Sequence, residues 1–183
     1  KHLSNIEKKV AESDQIINNL LFYARLKSAH HERISIYDLL NECIDMAEKR
    51  FEEQNAAIIR NFDSINGLVI DADPLQMREL FNNIFNNAFD AVSGKEGKIE
   101  IRGEQADASH MAIYIKDNGI GIDEENLKKI YDPFFTTKSK GTGLGLTVAS
   151  QIVYLHNGAM NIQSKKGEWT EVTVVLPVKK KQK

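Results

Sequence analysis

The sequence predicts an α/β fold: a two-layer sandwich of a mixed β-sheet with helices on one face, preceded by one long α-helix. Apolar residues recur every three or four positions near the N-terminus and again over residues 74–92, which is the spacing of amphipathic helices. Shorter segments alternate apolar and polar side chains, as half-buried strands do. Few strands are joined as successive βαβ repeats, so a mixed sheet is favoured over a doubly wound parallel sheet.

The first 31 residues are predicted to form a helical segment of their own. From Leu3 to Ala24 the apolar positions alternate spacings of three and four, which is a heptad seam. A lone helix with this much apolar surface needs a partner, so we expect a homodimer through it. Packing of the helix back onto the domain is the alternative. Residues 32–179 are predicted to form one domain, and residues 180–183 a basic tail.

The elements of the domain follow from local signals in the chain. Asp73-Pro74 predicts the start of the longest helix, because proline suits the first turn. Asn66-Gly67 predicts a hairpin turn between strands at 57–60 and 68–70. The remaining elements are a strand at 35–38, a helix at 39–51, strands at 98–102 and 111–115, helices at 124–131 and 142–156, and strands at 160–164 and 170–176.

Composition limits the classes of function. The 183-residue chain has a net charge of −2, which gives no reason to expect a nucleic acid partner. The single cysteine, Cys43, has no internal disulfide partner and favours a reducing, cytoplasmic location and a buried apolar position. No apolar run approaches the length of a membrane span, although the chain also suits the cytoplasmic part of a membrane-bound protein.

Two asparagines share one face of the longest predicted helix. Asn83 and Asn87 lie four residues apart, beside the apolar stripe that contains Leu80, Ile84 and Ala88. Asparagine has a low helix propensity, so two asparagines on one helix face call for an explanation. Amide oxygens are hard ligands suited to Mg²⁺ bound to a triphosphate. A solvated polar face is the alternative, and the helix alone leaves it open.

Two glycine patterns flank a possible lid. Asp117-Asn118-Gly119-Ile120-Gly121 follows a predicted strand, where a carboxylate can accept a hydrogen bond from an exocyclic amine such as that of adenine; an ordinary turn is the alternative. Gly141-x-Gly143-x-Gly145 opens a helix, and helix N-termini suit phosphates. Residues 122–140 between them have the pattern of a hinged lid, with Phe134 and Phe135 expected to anchor it by apolar contact.

In this order the clusters resemble the catalytic and ATP-binding domain of two-component sensor histidine kinases, over about Ile34 to Val178. The segment Asp132-Pro133-Phe134-Phe135-Thr136-Thr137-Lys138 is the most specific to these kinases. The kinases belong to a larger ATPase family shared with DNA gyrase, a heat-shock chaperone and mismatch-repair proteins. The resemblance therefore implies the histidine-kinase ATPase fold, with ATP and Mg²⁺ as ligands.

The resemblance also implies roles for individual residues. Asn87 would bind Mg²⁺, Asn83 would support the metal or the phosphates, and Asp117 would read the adenine amino group. Asn83 and Lys138 are the candidate catalytic residues. The other residues expected to bind the nucleotide are Gly119, Gly121 and Ile122 beside Asp117, and Gly141, Thr142, Gly143, Leu144, Gly145 and Leu146 with Lys138 around the phosphates.

The identity of residue 83 favours one reaction over another. In the hydrolysing relatives this position is a glutamate that activates water, whereas Asn83 is a poor general base. Transfer to a histidine is therefore favoured over hydrolysis. The resemblance implies a phosphoacceptor-histidine helix and a response regulator receiver domain as partners. An ATP-hydrolysing conformational machine and a protein-docking module with a degenerate pocket remain the alternatives.

The chain departs from the kinase pattern in three places. Asp90 stands where many of these kinases carry a lysine, and Gly167-Glu168-Trp169-Thr170 lacks a glycine before the threonine. None of the five histidines is followed by an acidic residue and then a proline at the acceptor spacing; His31-Glu32 only begins like it. Residues 1–31 resemble the second helix of the dimerisation hairpin. We therefore expect the phosphoacceptor to be a histidine outside this chain.

Overall fold

The computed structural model describes residues 29–54, 56–94, 96–138 and 141–179. The heptad seam from Leu3 to Ala24, and the dimer expected from it, lie outside the described residues. The elements in chain order are β1 (Glu32–Ser35), α1 (Ile36–Arg50), β2 (Ala57–Asn61), β3 (Val69–Ala72), α2 (Pro74–Val92), β4 (Lys98–Gln105), β5 (His110–Asp117), α3 (Glu124–Leu127), α4 (Gly145–Leu155), β6 (Ala159–Lys165) and β7 (Trp169–Pro177).

The strands form one large mixed sheet and one small sheet. The large sheet has five strands in the order β2-β4-β5-β7-β6. Only β2 and β4 run parallel, and the other neighbours are antiparallel. In the small sheet β1 pairs antiparallel with β3, from Glu32 opposite Ala72 to Ser35 opposite Val69. The predicted mixed sheet is confirmed.

The helices cover one face of the large sheet and enclose the core between the layers. Alternate residues of the central strands point into this core, as a strand with one buried face requires. The opposite face carries polar pairs, for example Arg102 with Glu171 at 2.9 Å and Arg102 over the ring of Tyr114 at 4.9 Å. The main buried residues are Ile99, Ile101, Met111, Ile113, Ile115, Val172, Val174 and Leu176 from the strands and Met77, Leu80, Phe81, Ile84, Phe85 and Phe89 from α2.

The start of α2 is fixed by its capping residue. The Asp73 side chain accepts hydrogen bonds from the backbone N–H groups of Leu75 and Gln76 at 2.9 and 3.1 Å. These are two of the donors that the first turn of a helix leaves unpaired. Pro74 follows directly, where its missing N–H costs nothing. The predicted start and the end at Val92 are both confirmed.

The predicted hairpin between residues 57–60 and 68–70 is wrong. β2 pairs with β4 in the large sheet, whereas β3 pairs with β1 in the small sheet. The connection between them contains Phe62 and Ile65, which are buried in the core. This connection turns inward and sends the two strands to different sheets. Gly67, at φ +83°, makes a local turn without pairing the flanking strands.

Several helix boundaries differ from their predicted positions. The helix expected at 39–51 begins at Ile36, because the Ser35 hydroxyl caps it by accepting the N–H of Asp38 at 3.2 Å. The helix expected at 124–131 ends at Leu127. Cys43 is fully buried, as expected, and burial raises the pKa of its thiol to about 12. Within the described part of the chain, no helix combines the length and hydropathy that a bilayer crossing requires.

Three histidines gather at the N-terminal end of α2. The buried His156 accepts the backbone N–H of Asp73 at Nε2, at 3.1 Å, and its Nδ1–H donates to the carbonyl of Ile152 at 2.8 Å. Its ring stacks on His31 at 4.9 Å between centroids, and the N–H of His30 donates to the Asp73 carboxylate at 2.8 Å. These contacts tie the segment that precedes β1 to α2 and α4.

The His156 contacts predict a pH-dependent stability. Both ring nitrogens are used by the neutral form, and burial lowers the pKa of His156 below its usual value. At mildly acidic pH, His156 therefore binds a proton in the unfolded chain more readily than in the folded chain. The free energy of unfolding should be constant above about pH 6.5 and fall below it, by about 1.4 kcal/mol for each unit of pKa depression.

Urea unfolding between pH 7.5 and 5 measures this slope. Asp73 and His31 contact the same ring and can also titrate. The test therefore changes His156 itself. His156→Leu should flatten the slope, even though it lowers the stability at every pH. His110→Asn, at the start of β5 where the side chain is 40% exposed, should keep it. An unchanged slope in His156→Leu would contradict the assignment.

Candidate functional site

The predicted site residues converge where the last half of α2 meets the end of β5 and the start of α4. A Cβ added to Gly119 would lie 2.6 Å from the carbonyl oxygen of Ala91, on α2. A Cβ on Gly145, the first residue of α4, would lie 3.0 Å from Oδ1 of Asn83. The two glycine patterns therefore approach the same helix that carries the asparagines.

The two asparagines lie half-buried on one face of α2. The amide nitrogen of Asn83 donates to the carboxylate of Glu79 at 3.0 Å, which turns its oxygen towards Gly145. Asn86 lies elsewhere, with its oxygen bound by Arg50 at 3.2 Å. The amide oxygens of Asn83 and Asn87 are thus presented at the site, while Asn86 links α2 to α1.

The Asp117 carboxylate is buried, at 5 % exposure, and held by the turn that follows it. Its Oδ1 accepts the N–H of Gly119 at 2.8 Å. The N–H of Ile120 donates to the carbonyl of Ala91 at 3.0 Å. A side chain at Gly119 would collide with Ala91, so glycine is needed for this approach. These contacts fix the carboxylate relative to α2.

The second glycine of this turn, Gly121, lies against β6. Gly121 has φ +62°, and a Cβ there would overlap the carbonyl of Lys165. The N–H of Ile122 donates to the hydroxyl of Ser164 at 2.7 Å. That hydroxyl also lies 3.0 Å from the hydroxyl of buried Thr170. Ser164 therefore supports this loop, a role that the sequence did not predict.

The segment predicted to form a lid, residues 122–140, is described up to Lys138, and its contacts differ from the prediction. Phe135 packs against the core, as expected, but the Phe134 side chain is 61 % exposed, so its predicted apolar anchoring is wrong. Phe134 has φ +67°, and its N–H donates to the carbonyl of Gly143 at 3.0 Å. The backbone of Phe134 holds the lid to the Gly141–Gly145 segment, and the ring points outward as a result.

Lys138 reaches from the lid to α2. Its ammonium lies 2.8 Å from Oδ1 of Asn87 and 2.7 Å from Oδ2 of Asp90. The sequence predicted Lys138 beside the phosphates and Asn87 on the metal, and the structure brings the two together. The sequence did not predict Asp90 as a partner of Lys138, although Asp90 lies three residues after Asn87 on the same face of α2.

The start of α4 offers backbone donors at the site. The helix begins at Gly145 rather than at the predicted Thr142, because Gly143 has φ +68°, outside the helical region. Its N-cap residue, Leu144, makes no side-chain capping bond. The first N–H groups of a helix carry a partial positive charge and suit an anion. Leu144 is buried, Thr142 and Leu146 are half-buried, and Gly141 is exposed.

The donor set fits a magnesium nucleotide better than a free metal ion. Among the described residues, no group of three or more histidine, cysteine, aspartate or glutamate side chains can hold a metal ion. An ion bound at Asn87 would take most of its ligands from elsewhere, and a bound triphosphate supplies such oxygens. Magnesium ordinarily binds in this way, through one or two protein ligands, phosphates and water.

Comparison with known proteins places the chain in a family. The profile described as "Histidine kinase-, DNA gyrase B-, and HSP90-like ATPase" matches residues 72–180. This match covers more than half of the chain and includes every predicted site residue. The chain belongs to this family of ATPase domains.

Several similar curated proteins are named histidine kinases. The chain is 35% identical over 179 residues to the signal transduction histidine-protein kinase AtoS of Escherichia coli K12, covering 97% of this chain and 29% of that protein. It is 32% identical over 171 residues to sporulation kinase C of Bacillus subtilis, covering 93% and 40%. The chain thus spans less than half the length of these curated relatives.

Solved structures share the fold. The catalytic domain of histidine kinase ThkA, in a nucleotide-free form, superposes with a TM-score of 0.72 at 26% identity, covering 81% of this chain and 95% of that domain. The structure of ThkA in complex with response regulator protein TrrA gives a TM-score of 0.80 at 23% identity, covering 98% of this chain and 51% of the ThkA chain. The two-layer architecture is therefore that of histidine kinase catalytic domains.

Proposed function

We propose that this chain is the ATP-binding catalytic portion of a two-component sensor histidine kinase. It would transfer the γ-phosphate of ATP to a histidine outside this chain, for onward transfer to a response regulator receiver domain. ThkA was solved with the response regulator protein TrrA, which supports this kind of partner. The domain would act in the cytoplasm, as part of a homodimer formed through residues 1–31.

The observation that carries this proposal is the environment of Asn83. Its amide oxygen faces the start of α4, where the phosphates would bind, and its nitrogen is held by Glu79. An amide cannot accept the proton of an attacking water, so the residue positions groups without activating water. A histidine nitrogen needs no such base, because neutral imidazole is already nucleophilic.

The other residues would then bind and orient the nucleotide. Asp117 would accept a hydrogen bond from the adenine amino group, and Asn87 would give its amide oxygen to Mg²⁺. Lys138 would leave Asn87 for the γ-phosphate, and the N–H groups at the start of α4 would face the other phosphates. The bound Mg²⁺ neutralises phosphate charge in such reactions. The acceptor nitrogen would form a bond to the γ-phosphorus of ATP. The bond between that phosphorus and the β–γ bridging oxygen would break at the same time, and ADP would leave.

The experiment is a labelling assay with radiolabelled ATP and Mg²⁺. The chain alone should stay essentially unlabelled, because none of its histidines fits the acceptor pattern. A separately supplied dimerisation hairpin from a similar kinase should become labelled. His31 is already stacked on His156, so it is poorly placed to attack a phosphate bound beside Asn87.

Three outcomes would contradict the proposal. Strong, stable labelling of His30 or His31 would place the acceptor within the chain. Rapid steady hydrolysis would instead support an ATP-driven conformational machine. A calorimetric titration that detects no ATP binding at millimolar nucleotide would support a docking module with a degenerate pocket.

A further inference from the structure

The Lys138 ammonium has two oxygen partners on one face of α2. Oδ1 of Asn87 lies at 2.8 Å and Oδ2 of Asp90 at 2.7 Å. The two residues are three apart in the helix, so their side chains project from neighbouring positions. An amide oxygen and a carboxylate oxygen therefore converge on one cation.

This pair has the chemistry of a magnesium site. Magnesium prefers hard oxygen ligands, carboxylates above all, and it usually takes one or two from a protein while phosphates and water supply the others. Asn87 alone brings no charge to the site. Asp90 adds one negative charge beside it, which favours a divalent cation over the monovalent ammonium now bound there.

The ammonium is also easily displaced. The Lys138 and Asp90 side chains are 40% and 47% exposed, and exposed ion pairs contribute about 0–1 kcal/mol. Lys129 and Lys165 pair with acids on their own segments, Glu125 and Glu168. Lys138 instead spans from the lid to α2, so its release also frees the lid residue that the phosphates would attract.

We propose that Asn87 and Asp90 together hold the magnesium ion of the bound nucleotide, with the Asp90 carboxylate binding the ion directly or through one of its waters. Lys138 occupies this site while the metal is absent and moves to the phosphates when the metal enters. The proposal rests on the proposed nucleotide function and deepens it. It assigns a metal-binding role to Asp90. This residue is negatively charged, whereas many kinases have a positively charged lysine at the same position.

The test measures ADP affinity as a function of Mg²⁺ concentration by calorimetry or fluorescence titration. Asp90→Asn keeps the shape and a hydrogen-bond acceptor for Lys138 but removes the charge. The Mg²⁺ concentration for the half-maximal increase in affinity should rise about tenfold, equivalent to about 1.4 kcal/mol. ADP affinity in excess EDTA should change less than twofold. Glu125→Gln, an exposed acid paired with Lys129, is the matched control and should behave as the wild type.

A second variant tests the exchange of cations. Lys138→Met removes the competing ammonium, and ADP has no γ-phosphate for Lys138 to bind. The Mg²⁺ requirement for ADP should therefore fall by about two- to fivefold, as loss of a weak exposed ion pair predicts. A rise in this requirement would contradict the exchange.

The outcomes separate this inference from the proposed function. If the wild type binds Mg²⁺-ADP and Asp90→Asn leaves the Mg²⁺ requirement unchanged, only the Asp90 assignment is overturned. If Asp90→Asn binds Mg²⁺-ADP more tightly than the wild type, Asp90 is a tether for Lys138 and not a metal-holding residue. Absence of any nucleotide binding by the wild type would overturn both.

Discussion

Asp117→Asn should abolish ATP binding while leaving the domain folded. Oδ1 of Asp117 accepts the N–H of Gly119, and in the variant the amide oxygen would keep that bond. The new NH₂ group would then face the adenine amino group, setting donor against donor in a buried position. Losing a hydrogen bond to a charged group and adding this mismatch should weaken binding about 100-fold or more, or about 3 kcal/mol.

Calorimetric titration with Mg²⁺-ATP measures this loss, and circular dichroism checks the fold. Asp107→Asn is the matched control: Asp107 lies in the exposed turn before β5, at the opposite end of the strand from Asp117. Asparagine suits a turn, so this variant should bind ATP as the wild type does. Unchanged affinity in Asp117→Asn would refute the adenine assignment.

Asp73→Ala should cause a large loss of stability. One oxygen of Asp73 caps α2 through Leu75 and Gln76, and the other accepts the N–H of His30 at 2.8 Å. A helix cap contributes about 1 kcal/mol, and a hydrogen bond to a charged group about 1.5–3 kcal/mol. The free energy of unfolding should fall by about 2.5–4 kcal/mol, as measured by urea denaturation at pH 7.5.

The pH dependence of this loss identifies its origin. Burial raises the pKa of Asp73, but the hydrogen bonds from His30, Gln76 and Leu75 outweigh it, and the net pKa is lowered. The stabilisation is therefore present above the usual value of about 4 and is lost as pH falls below it. The difference between Asp73→Ala and the wild type should shrink there. Asp71→Ala, an exposed neighbour on β3, should change stability by less than about 0.5 kcal/mol.

Predictions from the local sequence were correct where residues within one turn of each other determine the structure. Asp73-Pro74 predicted the start of α2 correctly, because a cap and a first-turn proline act within one turn. The hairpin at Asn66-Gly67 failed for the opposite reason. The turn forms, with Gly67 at φ +83°, but the partners of β2 and β3 lie far away in the chain and are chosen by burial of Phe62 and Ile65.

The candidate site shows the same division. The sequence indicated a strand-end turn at Gly119 and Gly121, and the close backbone approaches there explain why glycine is needed. The contact of Lys138 with Asp90 joins residues 48 positions apart, and no local pattern specifies it. Phe134 was expected to anchor the lid by apolar contact, yet its backbone has a positive φ and its ring is exposed. Side-chain direction depends on backbone conformation that composition does not reveal.

The small sheet has a mechanical consequence. β3 pairs with β1 on one side, and on the other its residue Val69 accepts the N–H of Lys179 at 3.0 Å. Both the incoming and the outgoing chain are thus attached to the same four-residue strand. Force applied at either end of the described domain therefore reaches β3, the strand that leads into the start of α2. The turn after Asp117 contacts Ala91 near the other end of the same helix, away from both attachments.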